Sequence, residues 1–192
     1  MKNSKSKTIF IFLIFLFFIT IPFLQSLIFS SNTEGAIKID KEVKADFIYS
    51  DKKIILLFFG YFGCKDVCTP LLYKLSDLYE SQEFTTIKDE VDIFFINLTP
   101  EAEQDQPDLF AKFFNKNFKG VYLSKKDIFN LDRTFGVFFS RDLSDKTELN
   151  HTDFVYLIEN NLNSKILKSM YSIHPLKTAK LIDDMILLDS KK

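Results

Sequence analysis

The sequence predicts an α/β fold, with a central mixed sheet flanked by helices and an apolar segment at its N-terminus. Three observations lead to this prediction. Apolar runs of strand length alternate with stretches of helical periodicity, a turn-rich stretch separates two late strand patterns, and 192 residues suffice for one packed domain and a further segment. We therefore expect a single globular domain preceded by a segment of different character.

The N-terminal segment is an uncharged apolar run over residues 9–29. At about 1.5 Å per residue, such a helix could cross a hydrocarbon core of roughly 30 Å. Lys2, Lys5 and Lys7 precede it, so the positive-inside rule leaves residues 1–8 in the cytoplasm. A cleaved signal peptide is the alternative, and both interpretations imply export. We expect a single-pass protein of the bacterial inner membrane, with its C-terminal domain in the periplasm or outside.

The exported part divides into a polar linker, residues 30–45, and a domain, residues 46–189. Its elements are predicted in the order strand, helix, strand, helix, short strand, helix, strand, strand, helix. The four main strands are predicted at 53–62, 91–98, 152–159 and 165–173, and the four helices at 70–84, 106–118, 124–136 and 174–188.

Each element has its own signal in the sequence. The first two strands are continuous apolar runs, which are typical of strands buried on both faces. Proline suits a first helical turn, and the first two helices open with Pro70 and Pro107. Ser124 and Gly136 are cap signals at the two ends of the third helix. The turn NNLNS separates the last two strands as a hairpin, and an apolar stripe follows Pro175 in the closing helix. This order is the thioredoxin-like arrangement.

Both cysteines of the chain, Cys64 and Cys68, lie just after the first strand and at the start of its helix. A helix N-terminus favours the thiolate, which is both a nucleophile and a metal ligand. The position therefore leaves redox chemistry and metal binding open. Three residues separate the cysteines instead of the two of the usual exchange motif, and this leaves room for a metal ion. Soft thiolates select Cu(I), zinc or iron–sulfur clusters.

The chain has two histidines, His151 and His174. In a thioredoxin-like fold, the loop that enters the hairpin passes beside the cysteines. We therefore expect the polar stretch 140–151 to be a mobile loop that carries His151 to them. His174 follows the second hairpin strand, and we expect it at the opposite end, as a surface histidine.

The chain resembles the Sco/SenC family of copper-binding, thioredoxin-like proteins. The resemblance rests on the segments FFGYFGCKDVCTPLLYKLSDLYE, NLTPEAEQDQPDLFAKFF and NHTDFVYLIENNLNSKILKSMYS, in matching order over residues 45–188. It implies that Cys64, Cys68 and His151 bind one copper ion, as Cu(I), Cu(II) or both. It also implies a metallochaperone that assists assembly of the binuclear copper site of cytochrome c oxidase. The partner would be the copper-site subunit or another exported thiol or copper protein.

Three departures from the family pattern concern the loops around this motif. Lys65 and Thr69 stand where prolines are common, and Thr99 replaces an acid. These changes keep the three candidate ligands but bring the stiffness of the loop and its recognition of a partner into question. Lys65 would also favour thiolates electrostatically.

Two other functions remain open from the sequence. In an exported thiol–disulfide oxidoreductase, Cys64 would be the exposed attacking thiolate and Cys68 the resolving thiol, and both would be catalytic. Alternatively, the cysteines form a structural disulfide in a domain that only binds a partner. Nucleic acid is not an expected partner, because 25 basic and 26 acidic residues nearly balance and no basic block occurs.

Overall fold

The computed structural model describes residues 10–21, 35–143, 148–161 and 164–190. The chain forms two compact units, Met1–Glu34 and Gly35–Lys192. In the first unit, residues 10–21 form a helix, α1. Over these described ranges, no helix combines the length and the apolar character needed to cross a membrane. The predicted span over residues 9–29 lies partly outside the described residues and stays a prediction.

The second unit alternates strands and helices, as the sequence predicts. Its elements are β1 (Ala36–Val43), β2 (Ile54–Gly60), α2 (Cys68–Tyr79), β3 (Val91–Asn97), α3 (Gln106–Phe114), β4 (Lys119–Val121), α4 (Lys125–Phe129), α5 (Leu131–Phe135), β5 (Phe139–Arg141), β6 (Leu149–His151), β7 (Phe154–Asn161), β8 (Ser164–Ser172) and α6 (Thr178–Ser190). Short 3₁₀ turns at Glu83–Thr86 and Lys88–Glu90 connect α2 to β3.

Six of the strands form one mixed sheet in the order β1-β8-β7-β2-β3-β4. The neighbours β2, β3 and β4 are parallel, whereas β7, β8 and β1 add in antiparallel fashion. Every residue of β2 and β3 is buried, which agrees with their continuous apolar runs. The predicted central mixed sheet flanked by helices is confirmed.

Helices cover both faces of this sheet. On one face, apolar side chains of α2 and α6 pack against alternate residues of β2 and β3. On the other face, α4 and α5 contribute Ile128, Leu131 and Phe135 to a second core. Fully burying side chains of this size stabilises the fold by about 1.5–3 kcal/mol each. The carboxyl ends of β2 and β3 lie at one edge of this packed sheet. In α/β sheets, ligand-binding sites usually lie at this edge.

Three segments differ from the sequence predictions, and the first two are an edge strand and a helix. Residues 36–43, predicted as linker, form the edge strand β1, which pairs with β8. Their mixed composition suits an edge, where most side chains face solvent. The third predicted helix is interrupted at Asn130, where α4 ends and α5 begins. The predicted caps hold, because the Ser124 hydroxyl accepts a bond from the Asp127 N–H and Gly136 has a φ of 66°.

The stretch predicted as a mobile loop, residues 140–151, instead contains two short paired strands. In this two-stranded sheet, β5 and β6 are antiparallel and Phe139 faces His151. We call residues 139–151 the His151 hairpin. Residues 144–147 lie outside the described part of it. His151 is thus placed by strand pairing instead of by an irregular loop.

Candidate metal centre

The cysteine turn connects β2 to α2 and is closed by backbone hydrogen bonds. The Cys64 N–H donates to the Tyr61 carbonyl at 3.2 Å, and Gly63 takes a φ of 94°, which only glycine adopts readily. Helix α2 begins at Cys68, whose N–H donates to the Cys64 sulfur at 3.2 Å. Cys64 therefore occupies the turn before the helix, with its sulfur at the helix N-terminus.

Thr69 stabilises this turn in the absence of the family's proline. Its N–H and its hydroxyl both donate to the Cys64 carbonyl, at 3.3 and 2.9 Å. A proline at this position would supply neither donor. The turn is thus stiffened by two hydrogen bonds in place of a ring, which answers the question that the sequence raised about Thr69.

His151 completes a cluster of three donor atoms. The two sulfurs and an imidazole nitrogen all lie within 4.8 Å of one another, and His151 Nε2 is 3.8 Å from the Cys68 sulfur. His151 Nδ1 lies 3.0 Å from the Thr152 carbonyl, to which it donates. In the neutral imidazole, this leaves Nε2 as the nitrogen that carries the lone pair. A histidine that binds a metal through one ring nitrogen usually donates the N–H of the other ring nitrogen to an acceptor in this way.

The pKa values of the two thiols are shifted in opposite directions. Hydrogen bonding from the Cys68 thiol, with further bonds from His151 and from backbone N–H groups, outweighs burial and lowers the pKa of Cys64 to about 4. Burial raises the pKa of Cys68, and its bond to Cys64 and the charge there add to the effect. Burial opposes a charge on His151, but its bonds to Cys64 and to the Thr152 carbonyl raise its pKa overall. The principal contributions at Cys64 thus come from these partners and not from Lys65.

Both cysteines are free thiols and both are buried, with Cys64 3% and Cys68 0% exposed. The expectation of an exposed Cys64 is therefore wrong. The Cys64 sulfur accepts from the Cys68 N–H and lies within 4.8 Å of the Cys68 sulfur and a His151 nitrogen. The structure contains no disulfide between these two residues, so it does not support the structural-disulfide hypothesis.

Sequence reasoning did not identify Gly60 and Asn97, which shape the site from the ends of β2 and β3. A Cβ on Gly60 would lie 2.7 Å from the Cys68 sulfur, so only glycine leaves room for it. Asn97, fully buried, accepts from the Phe62 N–H at 3.2 Å and donates to the Thr99 carbonyl at 2.7 Å. Thr99 donates back to Asn97 at 2.9 Å. A polar residue at the carboxyl end of a largely apolar strand was the available signal for Asn97.

Tyr61 and Glu148 were also missed by sequence reasoning. The Tyr61 hydroxyl donates to the Glu148 carboxylate. The Tyr61 ring stands edge-on to the His151 ring, at 6.0 Å between centroids and 85° between planes. No spacing rule joins Tyr61 and Glu148, since 87 residues separate them.

His174 does not lie where the sequence analysis expects it. The hairpin register pairs Phe154 with Ser172, so the chain after β8 returns to the end where β7 begins. His174 therefore lies at the same end as His151 and pairs with Asp153 at 2.8 Å. It is not part of the cluster of three donors. The expectation of the opposite end was wrong because antiparallel strands reverse direction.

Comparison of the sequence with known proteins gives one family. The family model described as SCO1/SenC matches residues 44–182. A SCO2-like protein of Rickettsia conorii is 29% identical over 196 residues, covering 89% of this chain and 96% of that protein. A SCO2-like protein of Rickettsia felis is 29% identical over 123 residues, covering 60% of this chain. The chain spans 57% of the length of that protein.

Solved structures share the fold. Apo Sco1 of Thermus thermophilus superimposes with a TM-score of 0.61 at 24% identity, covering 81% of this chain and 93% of that chain. The copper-bound ScoI of Arabidopsis thaliana gives a TM-score of 0.61 at 22% identity, covering 73% of this chain and 86% of that chain. At these identities the likeness concerns the fold, and the thioredoxin-like prediction agrees with it.

Proposed function

Because this chain belongs to the SCO1/SenC family, we propose that it is a copper metallochaperone that binds one copper ion through Cys64, Cys68 and His151. The observation that carries the proposal is the cluster of two sulfurs and one imidazole nitrogen within 4.8 Å. Two soft sulfurs with an imidazole form a donor set that suits Cu(I), and an imidazole also suits Cu(II). Copper is the cargo here and not a resident cofactor.

The arrangement of the donors supports binding of this cargo. Cys64 already has a low pKa, so one thiolate is available without the metal having to displace a proton. The bond from Nδ1 to the Thr152 carbonyl leaves Nε2 facing the sulfurs, and Nε2 can bind the ion once the imidazole is neutral. Cys68 carries a raised pKa, so copper binding would release its proton and would be favoured by rising pH.

The client and the location are also part of this proposal. The family relationship supports a role in assembly of cytochrome c oxidase, and a human relative carries the name "Protein SCO1 homolog, mitochondrial". We propose that the domain delivers copper to the binuclear site of the oxidase subunit. The apolar run at residues 9–29 supports a membrane-anchored chain with its domain on the outer side of a bacterial inner membrane.

The test is a titration of the reduced domain with Cu(I) against a competing chelator. We expect one tightly bound equivalent and a large loss of affinity in His151→Ala. His174→Ala is the matched control, because it removes the other histidine at the same end of the sheet. A wild-type domain without tight binding, or equal losses in the two histidine variants, would contradict the proposal.

Thiol–disulfide exchange is the second candidate, and the opposite pKa shifts of the two thiols favour it. A low-pKa thiolate beside a protonated thiol is the arrangement of an attacking and a resolving cysteine. The 3% exposure of Cys64 argues against direct attack on a large substrate. If Cys64→Ser abolishes reduction of a disulfide substrate while His151→Ala leaves copper affinity unchanged, this second function replaces the first.

A further inference from the structure

The bond between Tyr61 and Glu148 joins the two halves of the candidate metal centre. Tyr61 lies three residues before Cys64 in the cysteine turn and is buried. Glu148 immediately precedes β6, the strand that carries His151. The Tyr61 hydroxyl donates to the Glu148 carboxylate. The Tyr61 ring also stands edge-on to the His151 ring. One side chain of the cysteine turn thus contacts the His151 hairpin at two places.

The hairpin lies outside the main sheet, and its Phe139 and Leu149 pack against the core of the domain. Strands β5 and β6 pair only with each other in the sheet assignment of the described residues. At its base, Thr152 exchanges bonds with the backbone of Phe138, which closes the hairpin on itself. An ion pair between the hairpin and the domain also joins Arg141 to Glu101 at 2.9 Å, with both side chains more than half exposed. Exposed pairs of this kind contribute little.

We propose that Tyr61 and Glu148 form a tether that positions the His151 imidazole over the two cysteine sulfurs. This inference rests on the proposed function, because the tether matters only if His151 binds the same ion as the cysteines. Tyr61 and Glu148 are positioning residues and do not touch the metal. Without the tether, the hairpin samples positions in which Nε2 is too far from the sulfurs. Copper binding then has to select the fraction of molecules with His151 in place.

The experiment compares variants that break the tether from each side with one that breaks a similar bond elsewhere. Tyr61→Phe keeps the ring and removes the hydroxyl, and Glu148→Ala removes the acceptor. Glu148→Gln keeps an acceptor oxygen and should restore binding in part. The control is Tyr171→Phe, which removes a tyrosine bond to the Asp184 carboxylate, 2.5 Å long, between β8 and α6.

Two readouts separate the tether from the proposed function. The first is Cu(I) affinity by chelator competition, which we expect to fall about tenfold in Tyr61→Phe and Glu148→Ala. The second uses the apo domain: amide hydrogen exchange of β5 and β6 should accelerate about tenfold in the same variants. In Tyr171→Phe, the affinity and the hairpin exchange should both stay at wild-type values.

The outcomes are distinguishable. If the wild type binds no copper tightly, the proposed function fails, and hairpin exchange in the apo domain still tests the tether. If the wild type binds copper and both tether variants match it in affinity and in exchange, the tether is refuted. It is also refuted if Tyr171→Phe weakens copper binding as much as Tyr61→Phe does, because the effect would then reflect general stability.

Discussion

Gly60→Ala tests whether the position of the Cys68 sulfur determines metal affinity. Gly60 ends β2, and a Cβ there would lie 2.7 Å from the Cys68 sulfur and 3.0 Å from a ring carbon of Phe95. Favourable contacts between heavy atoms of this kind are about 3.5–4.0 Å, so the sulfur must move by about 1 Å. The φ angle of Gly60 is not positive, so alanine adds no backbone strain there.

A metal site tolerates little displacement of its ligands, so a shift of the Cys68 sulfur should weaken metal binding. Ligand distances are held within about 0.2 Å, and changes in the groups that support ligands cost about 10–100-fold in affinity. We expect the Cu(I) affinity of Gly60→Ala to fall by about 10–100-fold in a chelator competition assay. Overpacking should also lower the free energy of unfolding of the apo domain by about 1–3 kcal/mol.

The control is Leu188→Ala, a cavity in α6 away from the cysteines. Leu188 is buried in the core, and its truncation should cost about 2–5 kcal/mol of the free energy of unfolding. Copper affinity should remain at the wild-type value in this variant. The reasoning is refuted if Gly60→Ala is destabilised as expected but binds Cu(I) as tightly as the wild type. Cys68 would then tolerate displacement or would not hold the metal.

Three further predictions concern hydrogen bonds and acidities. Thr69→Val should lower the free energy of unfolding by about 1 kcal/mol in urea, because the hydroxyl bond to the Cys64 carbonyl is lost, and Thr69→Ser should retain it. In the apo domain, ultraviolet absorbance should show a Cys64 thiolate that persists down to about pH 4; a midpoint near the ordinary thiol value of about 8.5 would contradict this. Tyr156→Phe should raise stability by about 1 kcal/mol, because the buried hydroxyl has no hydrogen-bond partner within the described residues. Burial raises the pKa of Tyr156 above the unfolded value of about 10, so the unfolded chain loses the phenol proton first and stability falls as pH rises beyond about 10. Thermal unfolding should therefore show a shallower alkaline loss in the variant.

The main elements of the domain were predictable because their signals are local. Short stretches of sequence suffice to recognise these signals. They are the apolar runs of β2 and β3 and the prolines in the first turns of α2 and α3. The β1 strand carries no such signal, because it lies at an edge and exposes most of its side chains. Its assignment depends on pairing with β8, more than a hundred residues later in the chain. Short strands such as β5 and β6 are missed for the same reason.

The histidines show the same division between local and distant information. Each histidine lies next to a predicted strand, and the sequence alone gives neither its register nor its contacts. The register between β7 and β8 brings His174 beside Asp153. The pairing of β5 with β6 places His151 near the cysteines. The thioredoxin-like topology and the family resemblance both selected His151 as a neighbour of the cysteines, and the structure places it there.

The sequence by itself determined the mixed α/β domain, the cysteine pair at the start of α2 and the family to which the chain belongs. These depend on periodicity, on local caps and on the cysteine motif GYFGCKDVCTP together with the other matching segments over residues 45–188. The tertiary structure decided the burial of Cys64, the opposite acidities of the two thiols and the contact of Tyr61 with Glu148. The physical reason is that burial and hydrogen bonding depend on groups from distant parts of the chain, which become neighbours only when the sheet and the His151 hairpin pack together.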